Sequence, residues 1–188
     1  LLRHARTQGQ YKKFTVESQE EVDRLIMLSN DLLFLIQNNS VGKESFEPFS
    51  LSEVCDSKSK HVLPYAELSS ISIESHKEKN IVIHGKKDDV TRLLLNLLKN
   101  AIDYNTPQGK VTVTLVKKQR QAILTIKDTG VGIAPYNLAH IFERFYKADS
   151  SRAQKNTAGS GLGLSIAKEI ATQHGGTIDV QSTLGEGS

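Results

Sequence analysis

The first pattern along the chain is helical. From Gln10 to about Gln37 apolar residues fall at Phe14, Val22, Leu25, Ile26, Leu28, Leu32, Leu33, Leu35 and Ile36, spacings of three and four that predict an amphipathic helix. Its C-terminal half is apolar over more than a narrow seam, so it calls for partner helices. The preceding "LLRHARTQG" reads as the end of another helix and a turn, which makes a partial helical hairpin, residues 1–40, that dimerises into a four-helix bundle. The alternative is that this helix packs on the domain that follows it. "NNSVGKES" is polar and contains glycine, as a linker would.

A second domain is predicted over 46–188. Ser50 and Glu53 make a capping-box pattern that opens a helix running toward Ser69, broken or bent near Pro64. "SISIES" and "NIVIHG" alternate as two short strands joined by the charged turn "HKEKN". A leucine-rich helix follows and ends at "NTPQG". "KVTVTLV" and "AILTIKD" alternate as a strand pair, "LGLSIAKEIATQ" is a helix closed by Gly175 and Gly176, and "TIDVQS" is a last strand. Strands and helices mix without regular β-α-β alternation, so the expected class is α+β, a sandwich of mixed sheet on helices.

Composition narrows the function classes. With 188 residues, 38% of them hydrophobic, the chain can bury a core. No apolar run approaches the ~18 residues of a membrane span, and the N-terminus lacks a signal-peptide core. A single cysteine, Cys55, excludes an internal disulfide and fits a reducing compartment. A net charge of +3 and 6% aromatic residues without tryptophan give little material for stacking on bases, which argues against nucleic-acid binding.

Candidate chemistry begins in "RLLLNLLKNAIDYN". Asn96 and Asn100 stand one turn apart beside the apolar face, where an unpartnered buried amide costs about 1–3 kcal/mol. Something polar must meet them. Two glycine segments stand at strand–helix junctions: "DTGVGI" (Asp128–Ile133) after a strand and "GSGLGL" (Gly159–Leu164) before a helix. Such glycines permit positive φ and close backbone approach, and a helix N-terminus offers free N–H groups to anions. Together they suggest a phosphate-bearing ligand, although neither is a Walker A loop or a dinucleotide fingerprint.

The order of these segments decides the reading. An asparagine-bearing helix, D-x-G-x-G after a strand, "FERFYKAD", then G-x-G-L-G-L opening a helix resembles the catalytic domain of the sensor histidine kinases. Asn96–Asn105 is similar to that family's N box, Asp128–Ile133 to the G1 box, Phe142–Asp149 to the F box and Gly159–Leu164 to the G2 box. The resemblance covers Phe46 to Ser188, and the helix over Tyr11–Asn38 is similar to the second helix of the family's dimerisation hairpin.

The resemblance implies a Bergerat-type ATP-binding fold, ATP and Mg²⁺ as cofactors, a homodimer, and a response regulator receiver domain as partner. The setting implied is cytoplasmic, with any membrane anchor outside this chain. It makes Asn100 the Mg²⁺ ligand and sets Asn96 along the same phosphate-facing side. A magnesium site of one or two protein oxygens, phosphate oxygens and water is what that ion prefers. Asp128 becomes the adenine reader, since an acceptor-only carboxylate matches the exocyclic amine of adenine and opposes the guanine carbonyl. Gly130 and Gly132 would admit the base to the backbone, with Ile133 and Tyr104 packed on it. Ser160, Gly161, Leu162 and Gly163 would meet the phosphates. The polar stretch between Ala148 and Ala158 is similar to the family's ATP lid, with Lys147 as a phosphate contact and Arg152 as a second candidate.

Two departures qualify this. The family usually has Lys where this chain has Asp103, and Lys99, read as lying on another face, does not replace it. The phosphoacceptor signature H-[ED]-x-[RK]-T-P is absent: His4 is followed by "ARTQ", and His61, His76, His84, His140 and His174 lack that context. No catalytic histidine is therefore expected within the chain, and the acceptor is expected upstream of Leu1. The competing readings are an ATP hydrolase of the same fold and a non-catalytic dimerising scaffold. Gyrase-type, chaperone-type and mismatch-repair ATPases carry a glutamate one turn before the magnesium asparagine to activate water, where this chain has Asn96.

Overall fold

The structure, a computed structural model, describes residues 8–37, 46–148 and 160–188. The readings that fall on His4, the linker, Arg152, Gly159 and most of the lid lie outside the described residues. The chain divides into two compact units, Leu1–Val41 and Gly42–Ser188.

In the first unit α1 (Gln8–Gln37) is a single helix of 30 residues, about 45 Å long at 1.5 Å per residue. Val22, Leu25 and Ile26, then Leu32, Leu33 and Ile36, are exposed along it, as are Tyr11 and Phe14 nearer its start. Among the described residues no helix is long and apolar enough to cross a membrane.

The second unit runs β1 (Glu47–Ser50), α2 (Leu51–His61), α3 (Leu63–Leu68), β2 (Ser72–Lys77), β3 (Val82–Gly85), α4 (Lys87–Asp103), β4 (Lys110–Lys118), β5 (Gln121–Asp128), α5 (Pro135–Leu138) and α6 (Gly163–Gln173). Its core is the α4–β4 contact. Val90, Leu94, Leu98, Ala101 and Ile102 recur at helical spacing and are buried, facing the buried alternate positions Val111, Val113 and Leu115 of β4. The outward residues of β4 remain partly exposed, which is the period-2 signal seen in the sequence. Leu51, Val54 and Cys55 of α2 close the same core, and burial raises the Cys55 thiol to a pKa of about 11. On its other flank α4 packs against α6, whose Ile166, Ala167 and Ile170 are fully buried.

The expected α+β class holds: a mixed sheet in the order β2-β4-β5, with β2 parallel and β5 antiparallel to β4, packs on helices. Ser50 caps α2 by accepting the Glu53 N–H at 3.2 Å, and Pro64 stands in the first turn of α3, where its missing N–H leaves no helix bond unmade. β2 and β3 do not share a sheet. β3 pairs antiparallel with β1, a four-residue strand containing Pro48 that is too short and too irregular to announce itself by alternation.

The strand expected over 177–182 is not formed. Ile178, Val180 and Ser182 are half-buried between exposed neighbours, so the alternation is real, but it reports which side chains face inward and not whether the backbone finds a ladder. Beyond it the chain is joined by points: Asp128 N–H to the Ser188 carbonyl at 2.8 Å, and a bridge between Thr183 and Gly187.

Truncation of the fully buried Leu98 to alanine is expected to cost about 2–5 kcal/mol. Leu68→Ala, at a side chain 88% exposed, should change stability by less than about 0.5 kcal/mol. Urea unfolding of both variants, followed by circular dichroism, checks the assignment of the core.

Candidate functional site

Burial of one face of α4 sends the other face toward α6 and the loop after β5. Asn96 donates its side-chain amide to the Gly163 carbonyl at 3.2 Å, so the polar group that meets it is the main chain of the first turn of α6. Asn100 is half-buried, and its amide has no hydrogen-bond partner among the described residues. Tyr104, the C-cap of α4, is 40% exposed, and its hydroxyl pKa is raised, first by burial and then by Asp103.

The loop Asp128–Ile133 is held between two pieces of chain. From one side the Val131 N–H donates to the Tyr104 carbonyl at 3.0 Å. From the other, Gly185 N–H donates to the Val131 carbonyl, and Ser182 Oγ accepts the Ile133 N–H, each at 2.8 Å. Gly132 has φ +64, and a Cβ there would lie 2.0 Å from the Thr183 carbonyl oxygen; a Cβ on Gly130 would lie 2.2 Å from that of Tyr104. The missing side chains at these two positions thus let the chain's own backbone pass close to the loop. A cleft of about 430 Å³ lined by Thr106, Gly130, Val131, Leu184 and Gly185 runs along this loop.

Asp128 lies at the end of β5, part-buried, with Oδ1 accepting the Gly130 N–H at 2.8 Å. Burial raises its carboxyl pKa above the usual range, and backbone donors at Gly130, at Ser188 and at Asp128 itself partly offset this.

In the third segment Ser160 Oγ accepts the Leu162 N–H at 3.1 Å, Leu162 is fully buried, and α6 begins at Gly163 without a side-chain cap. Gly161, at φ +74, receives the Phe145 N–H on its carbonyl at 3.0 Å, and a Cβ there would collide with the Phe145 backbone. The described part of the Phe142–Asp149 segment, residues 142–148, therefore sits directly on the glycine turn. It is tied down by Tyr146, whose hydroxyl donates to the buried Asn137 at 2.6 Å. Lys147 is exposed.

Asp103, read as a missing cation, has a different task. It accepts a hydrogen bond from the Tyr65 hydroxyl, tying α4 to α3. Burial raises its pKa, while Tyr65 and Lys99 lower it. Lys99 is thus not on another face from Asp103, where the sequence analysis set it. It is one turn earlier on the same flank, as the four-residue spacing requires.

Sequence reasoning passed over Asn105, Thr129 and Ser182, which are hydrogen-bonding hubs around the Asp128 loop. It also missed His174, which accepts the Lys86 N–H at 3.0 Å, bonds the Ile170 carbonyl at 2.8 Å and stacks on Phe46. Their only signal was polarity at element ends, which turns share everywhere.

Residues 85–188 match the family model described as histidine kinase-, DNA gyrase B-, and HSP90-like ATPase. The chain belongs to this family. It is 38% identical over 176 residues to sensor histidine kinase RppB of Synechocystis, an alignment that covers 93% of this chain and 38% of RppB. The chain thus spans well under half of that relative. Among solved structures, the mycobacterial sensor histidine kinase MprB superposes with a TM-score of 0.60 at 32% identity, over 69% of this chain and 80% of that one. Full-length ShkA in complex with AMPPNP gives a TM-score of 0.79 at 25% identity, over 97% of this chain and 38% of ShkA.

The sign of the Asp128 shift makes a prediction. A carboxyl whose folded pKa is raised favours folding below its ordinary pKa of about 3.9, and that contribution is lost as pH rises through the folded value. Asp128→Asn, which keeps an oxygen for the Gly130 N–H, should therefore melt higher than the parent at neutral pH without nucleotide. The difference should vanish as the pH falls toward about 4. Thermal melts of both proteins across that range check it.

Proposed function

We propose that this chain is the nucleotide-binding part of an autophosphorylating protein-histidine kinase of a two-component system. It binds Mg-ATP among α4, the Asp128 loop and the start of α6. It directs the γ-phosphoryl group to a histidine on a dimerisation hairpin of which α1 is the second helix, and from there to an aspartate of a response regulator receiver domain. The observation that carries the reading is the Asn96–Gly163 hydrogen bond, which brings the asparagine face of α4 onto the uncapped N-terminus of α6.

The residues fit that ligand. Asp128 accepts from the exocyclic amine of adenine, with Ile133 and Tyr104 as apolar neighbours of the ring. The first turn of α6, from Gly163 onward, has no side-chain cap, so its N–H groups and the positive end of the helix dipole are available to phosphate oxygens. The amide oxygen of Asn100 supplies a ligand to Mg²⁺, and Lys147 and Arg152 add cations from the segment before α6. Mg²⁺, when bound, offsets phosphate charge and aligns the group to be transferred. Asn96 disfavours hydrolysis, because its amide has no usable basicity and its NH₂ is committed to Gly163. Transfer then rests on positioning and electrostatics.

The exposed apolar face of α1 supports a second copy of the chain as its partner. The proposed setting is the cytoplasm, with any membrane anchor outside these residues.

Calorimetry with ADP and ATP tests the pocket. Asp128→Asn should weaken adenine nucleotides by roughly tenfold or more, as expected for loss of a charged hydrogen-bond acceptor, whereas Lys118→Ala at an exposed strand end should not. Equal effects would sink the assignment. Asn100→Ala should reduce the enhancement of binding by Mg²⁺ while sparing metal-free affinity, and an unchanged metal titration would make Asn100 structural.

Turnover separates the kinase from a hydrolase. With labelled ATP the chain should label an added hairpin that bears the acceptor histidine, giving an alkali-stable, acid-labile product. Brisk hydrolysis without labelled protein would replace the kinase reading with an ATPase one.

A further inference from the structure

We infer that Asn105, acting with Thr129, is the positioning residue that aims the Asp128 carboxylate, and through it sets the preference for adenine over guanine. The inference rests on the adenine-reading role proposed for Asp128. Asn105 uses its whole hydrogen-bonding capacity, two donors and two acceptor sites. Its Nδ2 donates to the Ala101 carbonyl at 3.0 Å and to the Lys110 carbonyl at 3.2 Å. Its Oδ1 accepts the Thr106 N–H at 2.9 Å and the Thr129 hydroxyl at 3.3 Å. One side chain thus joins the end of α4, the start of β4 and the residue after Asp128.

Thr129 completes the link. Its Oγ1 accepts the Lys110 N–H at 2.9 Å, its own N–H donates to the Lys110 carbonyl at 3.1 Å, and its carbonyl accepts from the Thr106 hydroxyl at 3.3 Å. The Asp128 carboxylate takes its direction from the Gly130 N–H. The peptide bearing that N–H is pinned on one side by Thr129 and on the other by Val131, whose N–H bonds Tyr104, the neighbour of Asn105. Both pins lead back to the last turn of α4. The fit is tight, since a Cβ on Gly109 would lie 2.0 Å from Asn105 Oδ1 and one on Gly130 would lie 3.0 Å from Asn105 Cα.

The test compares ADP with GDP by calorimetry on the full chain, with Mg²⁺ dependence recorded alongside. Asn105→Leu, close in shape but without hydrogen bonds, should lower the ADP-over-GDP preference by roughly tenfold, the scale of about one hydrogen bond. Thr129→Val should lower it several-fold, Thr129→Ser should retain it, and the metal dependence set by Asn100 should stay unchanged in all three. If Asn105→Leu does not fold, the exposed Thr129 pair decides alone. Equal weakening of both nucleotides, or an unchanged preference in Thr129→Val, overturns the inference and leaves Asn105 a purely structural residue. A parent chain that binds neither nucleotide overturns the adenine-reading role and the inference with it, whereas a parent that prefers ADP and variants that keep its preference overturn the inference alone.

Discussion

Packing of α4 on β4 is the constraint from which the second unit follows. The apolar stripe of α4 carries Leu94, Leu98 and Ile102, which are buried in one core with Val111, Val113 and Leu115. The remaining face must carry everything else that the helix does. Asn96 and Asn100 lie outside that stripe for this reason, and the partner that meets Asn96 is the backbone at the start of α6. Rotating α4 by one residue, about 100°, would put amides into the core and leucines against a helix terminus.

The same contact governs the Asp128 loop. β5 takes its register from β4, with Asp128 opposite Val111, so the carboxylate is placed by the strand that α4 covers. The end of α4 then reaches back through Tyr104 and Asn105 to hold the loop that leaves β5. Buried backbone groups must find partners. In a loop this close to two other segments they find them in Tyr104, Ser182 and Gly185. Rigidity of this kind suits a residue whose task is to hold a carboxylate at a part-buried position against a raised pKa.

Asp103 shows how a departure from a family pattern is absorbed. A carboxylate at the end of a helix opposes the helix dipole and is costly when partly buried. The Tyr65 hydroxyl and the Lys99 charge offset that cost, and in doing so they bind α3 to α4. The position reads as a lost contact in the sequence and as a brace in the folded chain.

Local pattern by itself determined much here: α1, α2, α4 and α6, the β4–β5 pair and the α+β class follow from periods of 3.6 and 2 and from capping chemistry around Ser50 and Gly175. The glycine segments also suggested a phosphate-bearing ligand, and the resemblance carried by their order implied a nucleotide. Only the tertiary structure decided what those polar residues touch. It committed Asn96 to Gly163, gave the space beside Gly130 and Gly132 to the chain itself, paired β3 with the short β1, and left 177–182 without a ladder. It also made hubs of Asn105, Thr129 and Ser182. The physical reason is common to all of these. Periodicity records whether a side chain faces the core, a property of each residue and its near neighbours. A hydrogen-bond partner is a second residue brought close by the whole fold, and nothing local in a lone asparagine, threonine or serine says which one it will be.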